Sequence, residues 1–157
     1  MDFKILIVDN IPGQLRALEN VLKEMGHKNV LTSRNAKDAS DILDKNPDID
    51  LVISEWDLPD KSGLELLKSI RANTSLAKTP FILTFQVKSK SDILKASQAR
   101  ATGFIVKPYK LEVVKQKISE ILKAGDTHML PKIEAQGGID ASENSTDQGD
   151  SNGPANS

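Results

Sequence analysis

Three short apolar runs, each cut off by a charged residue, constrain this chain more than any other feature. Ile5-Leu6-Ile7-Val8 stops at Asp9-Asn10; Leu51-Val52-Ile53-Ser54 stops at Glu55, with Trp56-Asp57-Leu58-Pro59 beyond; Phe104-Ile105-Val106 stops at Lys107-Pro108. Runs of this length, rich in β-branched residues and bounded by polar residues and proline, read as fully buried strands that open at their C-terminal ends into loops. In an open parallel sheet those ends face one crevice, so Asp9, Asn10, Glu55 and Lys107 are expected to share a pocket.

Between these runs the pattern changes to helical spacing. Strands are expected at Lys4 to Val8, Asn29 to Ser33, Leu51 to Ser54, Pro80 to Thr84 and Phe104 to Val106. Leu15, Leu18, Val21, Leu22 and Met25 mark a first helix, begun by Pro12 and stopped at Gly26. Asn35 caps a second helix carrying Ala39, Ile42 and Leu43, and Ser62-Gly63 leads into a third with Leu64, Leu66, Leu67 and Ile70. Ser91 is the expected cap of a fourth with Ile93, Leu94, Ala96 and Ala99, and Val113, Val114, Ile118, Ile121 and Leu122 mark the fifth. Strand-helix alternation of this kind predicts an α/β domain over residues 1–124. From Ala135 to Ser157 the residues are mostly Gly, Ser, Asn, Asp and Thr, so residues 125–157 are expected to form a disordered polar tail.

Composition narrows the function classes. The net charge is -1, basic residues form no block, and aromatic residues make up 4%, which argues against direct nucleic-acid binding. The chain has no cysteine, hence no disulfide, thiol nucleophile or thiolate metal site. No apolar stretch approaches the roughly 20 residues that a membrane span needs, and the N-terminus lacks a signal-peptide layout, so a cytoplasmic protein is expected. No Gly-x-Gly-x-x-Gly follows the first strand, no P-loop is present, and His27 and His128 are isolated, so the chain is not expected to be an enzyme.

The segments ending in Asp9-Asn10, in Glu55-Trp56-Asp57 and in Lys107-Pro108-Tyr109, with Ile82-Leu83-Thr84 as a fourth, resemble the motifs of response-regulator receiver domains, the CheY-like fold. The neighbours Trp56 and Lys107-Pro108-Tyr109 are most similar to the single-domain chemotaxis branch. The resemblance implies a flavodoxin-like, five-stranded parallel sheet of order 2-1-3-4-5 with helices on both faces. It also implies a protein-binding output surface along the fourth helix, fifth strand and fifth helix, where Lys95, Gln98, Phe104, Tyr109, Lys110 and Lys115 fall. A solvated basic helix face is the plainer reading of those lysines.

In such domains an acidic pair holds Mg²⁺, an aspartate accepts a phosphoryl group from a histidine kinase, a hydroxyl residue and a lysine contact that group, and an aromatic residue rotates inward on activation. Position by position, these roles fall on Asp9 and Asn10, Glu55, Thr84, Lys107 and Phe104. Asn10 and Glu55 depart from the pattern. Asn10 takes a charge from the metal site, and Mg²⁺ prefers anionic carboxylates. Glu55 carries its carboxylate one methylene farther, and a misplacement on the order of 1 Å can cost about 100-fold in rate. The longer arm also brings Glu55 toward Lys107, where an ion pair would fill the phosphoryl position. Phe85, following the hydroxyl residue, is expected to roof the pocket.

The implied function is a pseudo-receiver, a degenerate member of the two-component and chemotaxis machinery. It would act by binding a protein partner such as a kinase or motor component, with no cofactor or only weakly bound Mg²⁺. The alternative is a working Mg²⁺-dependent regulator, with Asp9, Glu55 and the Asp57 backbone carbonyl as metal candidates and phosphorylation at Asp57 or Asp9.

Overall fold

The computed structural model of the protein describes residues 2–124; the tail expected over 125–157, and His128 within it, lie outside the described residues. The chain alternates strictly as β1 (Lys4–Val8), α1 (Pro12–Glu24), β2 (Asn29–Ser33), α2 (Ala36–Lys45), β3 (Leu51–Glu55), α3 (Gly63–Ala72), β4 (Phe81–Phe85), α4 (Lys90–Gln98), β5 (Gly103–Val106) and α5 (Leu111–Ala124). All strand pairs are parallel, in the order β2-β1-β3-β4-β5. The order reverses at β1 and β3, which places the C-terminal ends of those two strands beside the crevice where α/β sheets of this kind bind ligands.

Strand alternation sorts the core into two layers. Leu6, Val8, Val52, Phe81, Leu83, Phe85 and Phe104 face α2, α3 and α4, against Ala39, Leu43, Leu66, Ile70, Ile93 and Ala96. Ile5, Ile7, Leu51, Ile53, Ile82 and Ile105 face α1 and α5, against Leu18, Leu22, Val114, Ile118 and Ile121. The central strands are therefore apolar on both faces, which is why they read as continuous apolar runs and not as alternating ones. Each fully buried side chain of this size contributes roughly 1.5–3 kcal/mol.

Local chemistry sets most of the helix ends. Asn35 accepts from the Asp38 amide, and Ser62 and Glu65 form a reciprocal capping box at the start of α3. Gly26, with φ of 92°, ends α1 in the left-handed region as expected. The fourth cap differs from expectation. Ser89, and not Ser91, accepts from the Asp92 amide, so α4 begins a turn's fraction earlier and Ser91 lies inside it. β4 also differs, running from Phe81 through Phe85 in place of Pro80 to Thr84. Pro80 has no N–H to give the ladder, although its carbonyl accepts from Val52 at 2.9 Å, whereas Phe85 accepts from the Lys107 amide at 2.7 Å.

Two arginines brace the far side of α4. Arg100 holds φ of 68° just after the helix, a conformation that glycine adopts more readily. Its carbonyl receives both Nε and Nη2 of Arg71, whose Nη1 donates to the carbonyls of Ala77 and Thr79. Burial, reinforced by the charge of Arg100, lowers the pKa of Arg71 to about 10. Arg71→Ala leaves three carbonyls without this donor. It is expected to cost about 2 kcal/mol in urea unfolding, with little change at the opposite end of the sheet.

Candidate functional site

The pocket forms where β1, β3 and β5 end together. Backbone bonds set the floor: Asp9 N–H donates to Ser33 O at 3.0 Å, Trp56 N–H to Thr84 O at 2.8 Å, and Lys107 N–H to Phe85 O at 2.7 Å. Glu55 is the last residue of β3 and lies opposite Thr84 in the ladder. These bonds bring Asp9, Glu55 and Lys107 to one point although 98 and 52 residues separate the lysine from its partners.

The Lys107 ammonium is held by both carboxylates. It donates to Asp9 Oδ2 at 2.9 Å and to Glu55 Oε1. The other oxygens are used too: Asp9 Oδ1 accepts from the Ile11 amide at 3.0 Å, and Glu55 Oε2 from the Asp57 amide at 2.9 Å. The three side chains are only 4%, 5% and 8% exposed, so this is an ion cluster removed from water. Burial pulls the Lys107 pKa down, but the hydrogen bonds to Glu55 and Asp9 and their charges outweigh it, and the net shift is upward from the ordinary lysine value. Burial raises the phenol pKa of half-buried Tyr109, two residues on.

An aromatic chain runs from this pocket to the sheet edge. Trp56 meets Phe85 edge-to-face at 5.7 Å between centroids, and Phe85 meets Phe104 in the same manner at 6.1 Å. Such pairs contribute about 0.5–1.5 kcal/mol beyond burial. Phe85 was expected to roof the pocket, and the structure corrects this. Adjacent strand residues point to opposite faces, so Phe85 leaves the Thr84 side and packs into the core beneath α4. It is a wall behind the site. Phe104, fully buried in the same layer, is likewise not part of any exposed surface.

Asp57 does not join the acidic pair. Its carboxylate is 73% exposed and pairs with Lys88 at 2.9 Å. Lys88 also lies 5.0 Å above the Trp56 ring, which ties the loop after β3 to the loop after β4. Nothing in the spacing of the sequence marks Lys88 for this role. The Asp57 carboxylate therefore stands apart from those of Asp9 and Glu55, and among the described residues no three acidic or histidine side chains form a group able to hold a metal ion. Asn10, partly exposed beside Asp9, brings only a neutral amide.

Of the expected output surface, Lys95 and Gln98 on α4 and Lys110 before α5 are exposed, with Leu94 and Val113 as exposed apolar neighbours. Lys115 belongs elsewhere. It pairs with Glu24 of α1 at 3.5 Å, because α5 packs with α1 on the opposite sheet face from α4. Tyr109 packs its ring partly on that same layer. His27, isolated in the sequence, is half-buried against Phe3, and burial lowers its pKa.

A doubly wound α/β domain with acids at the mouths of its two central strands and a lysine after its edge strand is the architecture of a signal-receiving module. The chain belongs to the response regulator receiver domain family, whose model matches residues 5–119. It is 34% identical over 122 residues to a chemotaxis protein CheY homolog of Campylobacter jejuni, covering 78% of this chain and 94% of that protein. Against chemotaxis protein CheY1 of Helicobacter pylori it is 31% identical over 123 residues, covering 78% and 99%. Among solved structures it is similar to a two-component response regulator from Clostridium difficile, with a TM-score of 0.73, 26% identity, and coverage of 80% of this chain and all of that one. Among the described residues no helix is long and apolar enough to cross a membrane.

Proposed function

We propose that this protein is a pseudo-receiver, a cytoplasmic interaction module of two-component or chemotaxis signalling that does not take a phosphoryl group in the usual way. The observation that carries this reading is the Lys107 ammonium bound by both Asp9 and Glu55. In a working pocket that lysine pairs with the phosphoryl group; here the Glu55 carboxylate takes that partner. Glu55 serves both as plug and as imitation of the product, holding Lys107, and through the strand ends Thr84 and Phe104, in one state. The protein acts by binding and catalyses no reaction.

The partner surface runs along the β5 edge between α4 and α5, with Lys95, Gln98 and Lys110 as polar contacts and Leu94 and Val113 as apolar ones. A mixed apolar and basic surface of this kind suits a partner segment that is apolar and acidic. The Trp56-Phe85-Phe104 chain is the physical link from pocket to edge.

Mass spectrometry after incubation with Mg²⁺ and acetyl phosphate tests the reading. The wild-type protein is expected to gain no mass, whereas Asn10→Asp combined with Glu55→Asp is expected to gain one phosphoryl group. A stable gain on the wild-type chain refutes the proposal. Were it mapped to exposed Asp57, or to Asp9, the alternative of a regulator phosphorylated at a non-standard acid would hold.

A further inference from the structure

We infer that the Lys107 ammonium is the resident cation of this pocket, standing where a divalent ion would need to bind, so that the native chain takes up neither Mg²⁺ nor Mn²⁺ between Asp9 and Glu55. The inference deepens the pseudo-receiver reading and rests on it for the identity of the pocket. It concerns metal affinity, which can fail or hold independently of phosphoryl transfer.

Every donor oxygen is already engaged. Each of the four carboxylate oxygens of Asp9 and Glu55 has a partner: the ammonium takes one from each acid, and the amides of Ile11 and Asp57 take the others. Mg²⁺ demands about six oxygens in near-octahedral array at about 2.0–2.1 Å and gives up its waters reluctantly. To coordinate it with the lone pairs that remain, both acids would have to hold a second, larger positive charge beside the ammonium, in a pocket almost closed to water.

Charge balance leads to the same result. Two carboxylates and one ammonium leave a single negative charge, which the two amide donors offset. Adding a divalent ion would turn that into a net positive charge in a site almost closed to water, where charge imbalance is poorly tolerated. A third carboxylate would restore neutrality. Asn10 has no charge to give, and the Asp57 carboxylate is turned outward to Lys88.

Two single substitutions should therefore open the site by different routes. Lys107→Met removes the competing cation, and Asn10→Asp supplies the missing charge while leaving the lysine in place. Mn²⁺, titrated into the full-length chain at neutral pH and low salt, is followed by paramagnetic broadening of backbone amide signals and by calorimetry. The wild type is expected to show no saturable site through the millimolar range. Each variant is expected to bind Mn²⁺ at least about tenfold more tightly, a change of about 1.4 kcal/mol or more, with broadening centred on Asp9 and Glu55. Adding Glu55→Gln to either variant should abolish the gain.

Saturable Mn²⁺ binding by the wild type, with broadening at Asp9 and Glu55, would overturn the inference. So would failure of Asn10→Asp to gain binding, a result that does not depend on the folding of the lysine variant. Mn²⁺ binding by a wild-type chain that still resists acetyl phosphate would remove this inference alone. Phosphoryl uptake by the wild type would remove the reading beneath it.

Discussion

Lys107→Met is expected to cost about 3–5 kcal/mol of folding stability at neutral pH, the loss typical of removing one partner from a buried ion cluster. The reason lies in what remains. Asp9 and Glu55 would face each other as two carboxylates, 5% and 8% exposed, with only the Ile11 and Asp57 amides to hold them. Neutralising one acid should relieve the penalty, so Glu55→Gln with Lys107→Met is expected to be more stable than Lys107→Met alone. That inversion would not occur if the lysine stem acted only by packing. Urea unfolding of the four chains of this double-mutant cycle measures it.

The pH dependence has a definite sign. Because the folded-state pKa of Lys107 is raised, its stabilising contribution is whole below the ordinary lysine value of 10.5, and is lost as pH rises through the higher folded value. Neutral pH lies on the plateau, so small pH changes there should leave the wild type unaffected by this group. At strongly alkaline pH the wild type should lose stability that Lys107→Met, lacking the ammonium, does not have to lose, so the gap between the two chains should narrow. An equal gap at neutral and strongly alkaline pH, followed by urea unfolding, would mean that the lysine charge contributes nothing.

The central strands were legible because the sheet there is buried on both faces. Runs such as Ile5 to Val8 and Leu51 to Ile53 leave no polar alternation to misread, and their charged ends mark the crevice directly. Helix starts were legible where a capping residue stands directly before the helical pattern, as Asn35 and Ser62 do. Ser89 and Ser91 could each cap α4, and only the Asp92 amide decides between them.

What stayed hidden depends on direction and on partners distant in sequence. Phe85 adjoins Thr84 in the chain but lies on the other face, so proximity in sequence misled where strand parity would have warned. Lys115 looked like part of a basic surface, but its partner Glu24 sits on a helix 91 residues earlier. The Lys88 bridge to Asp57 spans 31 residues between two loops, and no periodic pattern encodes it. Arg71 was equally silent, because its partners are backbone carbonyls, which every residue possesses. The pocket itself was readable as a set of residues, but the sharing of Lys107 between both acids required the folded geometry.

Gly63→Ala is the second substitution expected to have a large effect, and it acts on the site from behind. Gly63 opens α3, and its amide donates to Trp56 O at 2.7 Å. A Cβ on this residue would stand 2.3 Å from the carbonyl oxygen of Glu55 and 3.0 Å from Leu83 Cδ2. The first obstacle is backbone at the end of a central strand, which has no rotamer by which to yield. Either α3 lifts from the sheet or the end of β3 moves, and overpacking of this kind typically costs 1–3 kcal/mol, with values near or above about 3 kcal/mol expected where backbone must shift. Displacement of Glu55 would also loosen its hold on Lys107, because the obstructed carbonyl and the carboxylate belong to the same residue. Gly63→Ala is therefore expected to lower the urea midpoint and to shift the amide signals of Asp9, Lys107 and Trp56 together. Gly13→Ala, at a site with nothing within 4 Å of the added carbon, should do neither. If Gly63→Ala destabilises the chain while the pocket signals stay in place, the strap of α3 across β3 supports the fold without positioning Glu55.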